Sequence, residues 1–243
     1  MRLAAWLAAL CLGLGLVNAN AAKAKSAPIN VETYIPENAG PLLPVLSAQV
    51  KEVWPTFFAP NYFGGLIEQE SCISLTHSKC WSATSRLKSD REEGAGLGQI
   101  TRAFKSDGST RFDALEDAKR LDAKGLNDLR WDTVYSRPDL QIRVIILMTR
   151  ANWNRLDKLI DNNEGKLAMA DAAYNGGVGG VINERRACSM KKDCDPNVWF
   201  GNVEKTCLKS LKPLYGDRNA CMINREHVQY VLKVRMNKYK GKV

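Results

Sequence analysis

The sequence predicts a mainly α-helical fold, and three observations carry the prediction. Apolar residues recur at helical intervals through several long stretches, prolines and glycines punctuate their ends, and no convincing set of alternating strands is present. The length of 243 residues, with 45% hydrophobic and 25% charged residues, suits an ordinary globular protein with one main domain.

The chain opens with MRLAAWLAALCLGLGLVNANAAKAKS, in which Arg2 precedes an apolar run from Leu3 to Val17 and Ala19-Asn20-Ala21 follows. This is the pattern of a secretory signal peptide over residues 1–21, cut after Ala21. The run is short for a membrane span, so no stable span is expected once the signal has gone. Residues 22–40 are small, polar and proline-bearing and read as an extended N-terminal arm, which leaves residues 41–243 for the folded body.

With Cys11 set aside in the signal, Cys72, Cys80, Cys188, Cys194, Cys207 and Cys221 form an even set, as in chains that fold in an oxidising compartment. Their grouping makes the local pairs Cys72–Cys80, Cys188–Cys194 and Cys207–Cys221 the simplest expectation. No C-x-x-C or C-x-x-H spacing supports a zinc site, so neither a metal nor a cofactor is expected. The formal charge of +9 fits an anionic envelope polymer or membrane surface as partner, or solubility alone; no motif supports nucleic acid.

Within the body, PLLPVLSAQVKEVWPTFF and NYFGGLIEQES carry helical spacing and are separated by Pro55 and Pro60. A polar loop from Cys72 to Glu93 follows. RPDLQIRVIILMTRANWNRLDKLI, with Pro138 in its first turn, reads as the long buried helix. EGKLAMADAAYNGG ends in residues that tolerate a left-handed stop, and VGGVINERRAC starts again at once. The last helix, NREHVQYVLKVRMNKY, is amphipathic with a basic outer side.

The stretch GGLIEQESCISL holds two glutamates. On a helix, residues two apart point roughly 200° away from each other, so Glu68 and Glu70 do not form a pair. Glu70 falls with Phe63, Leu66, Ile67 and Ile73, whereas Glu68 shares its side with Gly64, Gly65 and Cys72 and reads as a bystander. A carboxyl among apolar groups keeps its proton to higher pH, as a general acid must. Taken alone, the segment fits as well a glutamate at a helix end that turns to solvent or caps a neighbour.

Further segments follow in order: GAGLGQI at Gly94 to Ile100, AYNGG at Ala173 to Gly177, and HVQYVLKV at His227 to Val234. With Glu70-Ser71, this order resembles the motifs of the SLT-type lytic transglycosylases, lysozyme-like enzymes that cut the glycan strands of bacterial peptidoglycan. The resemblance spans about Leu43 to Lys240 and implies a mainly α, lysozyme-like catalytic domain with disulfide-stapled loops. It assigns Glu70 as the catalytic acid and Ser71 as the serine that follows it. Gln99 matches the glutamine of the saccharide groove, Tyr174 and Asn175 match the motif that walls the cleft, and Tyr230 matches a tyrosine that contacts the acid. The glycines of the second motif would let a sugar approach the backbone closely.

The chain also departs from that pattern. Gly98 stands where the family has methionine, and the segment between Ser71 and Gly96 is longer than usual, so that Ser89, Asp90 or Arg91 could take the place of the serine before the glycine motif. The added length, His77 to Ser85 included, would form a further wall or lid over the cleft.

The resemblance implies an exported, periplasmic enzyme acting on peptidoglycan glycan strands, either a specialised envelope member or one like a phage endolysin. A lysozyme-type muramidase is the rival; it would need a second carboxylate, for which Asp90, Glu92 and Glu93 are candidates. A non-enzymatic peptidoglycan-binding module on the same scaffold is the alternative of another class. The Ala- and Gly-rich apolar run also resembles the signal-arrest-release segments of some endolysins, which would retain Cys11 as a free thiol; the Ala-Asn-Ala end favours cleavage. A secretion or conjugation apparatus as partner is left open.

Overall fold

The computed structural model describes residues 29–243. The expected signal peptide, its cleavage site and Cys11 lie outside the described residues.

The fold is mainly helical. The arm runs through a short 3-10 turn at Glu37–Ala39 into α1 (Leu43–Val53), which carries Pro44 in its first turn and ends ahead of Pro55. Pro60 precedes α2 (Asn61–Ser71), whose residues Tyr62 to Glu68 are all buried. Two glycines explain how this helix can be enclosed. A β-carbon at Gly64 would stand 2.8 Å from Cβ of Tyr239, and one at Gly65 would stand 2.8 Å from the backbone nitrogen of Met236. The C-terminal turns therefore lie directly on the α2 backbone.

The expectation of no sheet is corrected. Strands β1 (Arg86–Lys88), β2 (Glu92–Ala95), β3 (Ile100–Phe104) and β4 (Thr110–Asp113) form an antiparallel meander in chain order. The strands are only 3 to 5 residues long, β1 is wholly exposed, and β3 buries only Ile100 and Ala103 fully. Such strands show no alternation that a sequence can reveal. At the end of β4, Asp113 caps α3 (Ala114–Leu121) by accepting from the N–H groups of Leu115 and Glu116.

Helix α4 (Pro138–Leu156) runs through the centre, and α5 (Asn163–Gly176) packs beside it after an Asn162 cap. Gly177, at φ +84°, makes the expected left-handed stop, and α6 (Val178–Ser189) starts immediately after it. A small hairpin, β5 (Pro213–Tyr215) and β6 (Arg218–Asn219), leads into α7 (Ala220–Gln229). The last expected helix does not continue regularly. It becomes a π turn at Tyr230–Arg235 and a 3-10 turn at Met236–Tyr239, and its basic side is not all outward, since Lys238 is buried.

One core lies between α1, α2, α4 and the sheet, and a second lies between α5, α6, Trp199 and Val228; Trp153 and Leu232 pack against both. The disulfides are Cys72–Cys80, Cys188–Cys194 and Cys207–Cys221, the local set that the spacing suggests. Among the described residues no helix is long and apolar enough to cross a membrane.

Candidate active site

A cleft of about 680 Å³ lies where the sheet faces α4 and α5. Glu70, Gln99, Tyr174 and Asn175 all line it, joined by Glu92, Thr101, Asn152, Arg111 and Arg155 among others. The end of α2 delivers Glu70, whose side chain is 14% exposed. Residue 99 takes a left-handed conformation with φ 44°, and its amide nitrogen donates to Gly96 O at 3.1 Å. From α5, the Tyr174 hydroxyl donates to Gly98 O at 2.8 Å, and Asn175 Oδ1 accepts from Asn224 Nδ2 at 2.9 Å. Burial, then the charges of Glu70 and Asp171, push the Tyr174 phenol well above its ordinary range, so it stays a hydrogen-bond donor.

Behind Glu70 stands a buried chain of polar groups. His227 Nε2 lies 2.7 Å from Glu70 Oε1, and His227 Nδ1 lies 2.9 Å from Asp171 Oδ2. The Tyr62 hydroxyl donates to the other Asp171 oxygen at 2.8 Å. Burial alone would lower the His227 pKa; Asp171 and Glu70 outweigh it and push it up to about 10. The ring is therefore held as an imidazolium that donates from both nitrogens, one to Asp171 Oδ2 and one to Glu70 Oε1.

Several expectations are corrected at this site. Glu68 is the more buried glutamate, at 0% exposure, and Ile73 is 82% exposed, so Glu70 does not sit on a shared apolar side with it. Because α2 is enclosed nearly all round, angular position alone could not separate a bystander from a core residue. Glu68 is held by Arg235, Lys238 and Tyr239 from the C-terminal turns. Ser71 does not reach the cleft: its hydroxyl donates to Ile67 O at 2.6 Å and accepts from the Trp81 N–H at 3.0 Å, a structural tie.

Tyr230 is 45% exposed and stands at the α7 boundary with the Arg235 guanidinium over its ring, while His227, nearly one turn earlier, meets the acid. Gly96 and Gly98 are not open to a ligand either. The space a side chain would need is taken by Gln141 at Gly96, and by Ile145 and Tyr174 at Gly98.

The lengthened loop is no lid over its His77 to Ser85 part. Trp81 is buried, with its indole N–H donating to the Tyr239 hydroxyl at 3.0 Å, and none of residues 72–85 lines the cleft. Leu87 and Glu92, on β1 and β2, supply that wall instead. Ser89, Asp90 and Arg91 are exposed at the β1–β2 turn, where Ser89 Oγ accepts from the N–H groups of Arg91 and Glu92. Among the carboxylates considered for a hydrolase, Glu93 is buried and bound by Arg86, Arg102 and the Tyr135 hydroxyl, whereas Glu92 faces the cleft.

The residues missed from sequence were Tyr62, Asp171 and the part played by His227. Asp171 did leave a signal, as the lone acid inside the apolar run KLAMADAAYN, one turn before Tyr174. Among the described residues no cluster of three or more His, Cys, Asp or Glu side chains is arranged to hold a metal ion. No protein-family model matches the chain, and no curated protein matches it.

Proposed function

We propose that the protein is a peptidoglycan lytic transglycosylase built on a lysozyme-like scaffold, exported to the periplasm. The observation that carries this reading is the partly buried Glu70 carboxyl on a cleft that Gln99, Tyr174 and Asn175 also line. A cleft lined by amide, hydroxyl and guanidinium groups suits a polymer of acetamido sugars bearing carboxylates. The three disulfides support the exported location.

In the proposed course, Glu70 protonates the bridging oxygen after N-acetylmuramic acid, and the oxocarbenium-like centre forms as that bond breaks. The Glu70 carboxylate then takes the proton of the sugar's own C6 hydroxyl, whose oxygen closes the 1,6-anhydro ring. One carboxyl serves as acid and then as base, and no water is consumed, unlike the two-carboxylate scheme of ordinary glycosidases.

Digestion of purified sacculi tests the reading. Anhydro-muropeptides, lost in Glu70→Gln, are the expected result. Reducing ends would transfer the assignment to a muramidase, with Glu92 as the carboxylate to substitute next. Binding to sacculi with no release of fragments would instead make the protein a peptidoglycan-binding module.

A further inference from the structure

In the chain Tyr62, Asp171, His227, Glu70 the first three groups are buried and costly to enclose unless each is paired. Asp171 of α5 and Glu70 of α2 contact the His227 ring; behind them Tyr62 of α2 bonds Asp171, the Tyr174 phenol lies near both carboxyl groups, and Thr149 of α4 lies next to the Tyr62 hydroxyl. Both nitrogens of the ring meet a carboxyl oxygen that accepts, Asp171 Oδ2 and Glu70 Oε1, so the doubly protonated ring satisfies the pocket, and a neutral ring would leave one of these oxygens facing a lone pair.

We propose that His227, fixed by Asp171, is a positioning residue for Glu70: its Nε2–H holds Oε1 against α7, so that Oε2 is the oxygen presented to the glycosidic bond. The hydrogen bonds support this division, since Oε1 has the His227 partner and Oε2 has none among the described residues. The proposal rests on the reading of Glu70 as the acid. When Oε2 releases its proton to the bridging oxygen, the new carboxylate forms beside a cation already in place, which lowers the energy of the charge developing there. His227 keeps both of its protons throughout, and the proton that Glu70 gives up is replaced from the C6 hydroxyl. Asp171 and Tyr62 touch no substrate; they keep the imidazolium charged and correctly turned.

The chain has 2 histidines, His77 and His227, so nitrogen NMR of histidine-labelled protein resolves the ring directly. His227 is expected to keep both N–H groups past pH 8. This measurement is made on the free protein and does not depend on cleavage. In Asp171→Asn the ring loses the anion that holds its charge and should titrate in the neutral range. Its kcat on sacculi should then fall about tenfold at pH 8 with KM unchanged, and recover toward wild type at pH 5.5 as the ring is recharged.

A neutral His227 in the wild type at pH 7 overturns the positioning role while leaving the transglycosylase reading intact. So does an Asp171→Asn enzyme whose kcat and pH profile match the wild type, or one whose loss is the same at every pH, which is the mark of a structural role alone. If the wild type fails to cleave sacculi, the reading of the site fails and the role of His227 falls with it.

Discussion

Lys238 Nζ lies 2.9 Å from Glu68 Oε1, and both side chains are 1% exposed. Arg235 Nη1 reaches the same oxygen at 2.7 Å, and the Tyr239 hydroxyl donates to the other at 2.5 Å. Tyr239 in turn accepts from the buried Trp81 indole, so Glu68 joins the C-terminal turns, α2 and the disulfide-closed loop into one buried network. The π turn ends at Arg235, and the 3-10 turn that follows carries Lys238 and Tyr239 and lays Met236 and Tyr239 on the α2 face that Gly65 and Gly64 leave open.

Replacing Glu68 by Gln removes the anion and leaves Lys238 buried without its counter-charge. Burial already pushes the Lys238 ammonium below its usual range despite the nearby carboxylate. Breaking such a pair from one side costs about 3–5 kcal/mol, so urea unfolding of Glu68→Gln should show a midpoint far below wild type. An unchanged midpoint would show that the network is dispensable. Glu70→Gln, at a partly exposed carboxyl, should leave stability nearly unchanged while removing cleavage.

Gly98 is predicted to be irreplaceable for a packing reason. A β-carbon there would stand 2.6 Å from the Tyr174 hydroxyl and closer still to the Ile145 side chain. Gly98→Ala should cost about 1–3 kcal/mol as an overpacked site, and Gly98→Met, which restores the residue of the resembled family, should do more damage. Both should lower cleavage beyond the loss of folded protein, because the Tyr174 hydroxyl that donates to Gly98 O borders the cleft. Melting curves together with activity per folded molecule separate the two effects.

Helix boundaries were legible because prolines and glycines marked them: Pro55 and Pro60 bracket the break between α1 and α2, and Gly177 separates α5 from α6. Gln99, Tyr174 and Asn175 were singled out by the resemblance of their motifs to those of a known family, and all three line one cleft with Glu70. What the sequence hid depended on partners far along the chain. Glu68 and Glu70 differ because Arg235 and Lys238 approach one and His227 the other, separations of more than 150 residues that no local pattern encodes. The sheet was hidden for the opposite reason, since strands as short and exposed as Arg86–Lys88 carry too few residues to show a period.

Glu93 predicts an acid limit to stability. Burial would raise its pKa, but hydrogen bonds from Arg102, Tyr135 and Arg86 outweigh this and hold it below the ordinary value of 4.5. A carboxylate whose folded pKa is depressed contributes stability above its unfolded pKa and loses it as pH falls through the folded value. The melting temperature should therefore decline as pH drops below about 4.5. Glu93→Gln should be less stable at pH 7 and show a shallower acid decline; a parallel pair of curves would rule the cluster out as a source of acid sensitivity. The tyrosine side is consistent, since burial and then Glu93 push Tyr135 up to about 12 and keep its hydroxyl a donor.

Cys207 and Cys221, 14 residues apart, close a loop that ends at the start of α7, the helix that carries His227. Lys209 within that loop donates to Gly176 O at 3.1 Å, on the rim of the cleft. A cross-link around a loop of this length restricts the unfolded chain by about 3 kcal/mol, so Cys207→Ser/Cys221→Ser should unfold at lower urea by a corresponding amount. The slope against urea should rise slightly, because the freed chain exposes more surface when unfolded. Residual activity at low temperature should exceed that of Asp171→Asn at pH 8, since the disulfide supports α7 from its first turn while His227 keeps its own contacts to α2 and α5. Equal loss in the two variants would mean that the loop, and not the His227 clamp, sets the position of Glu70.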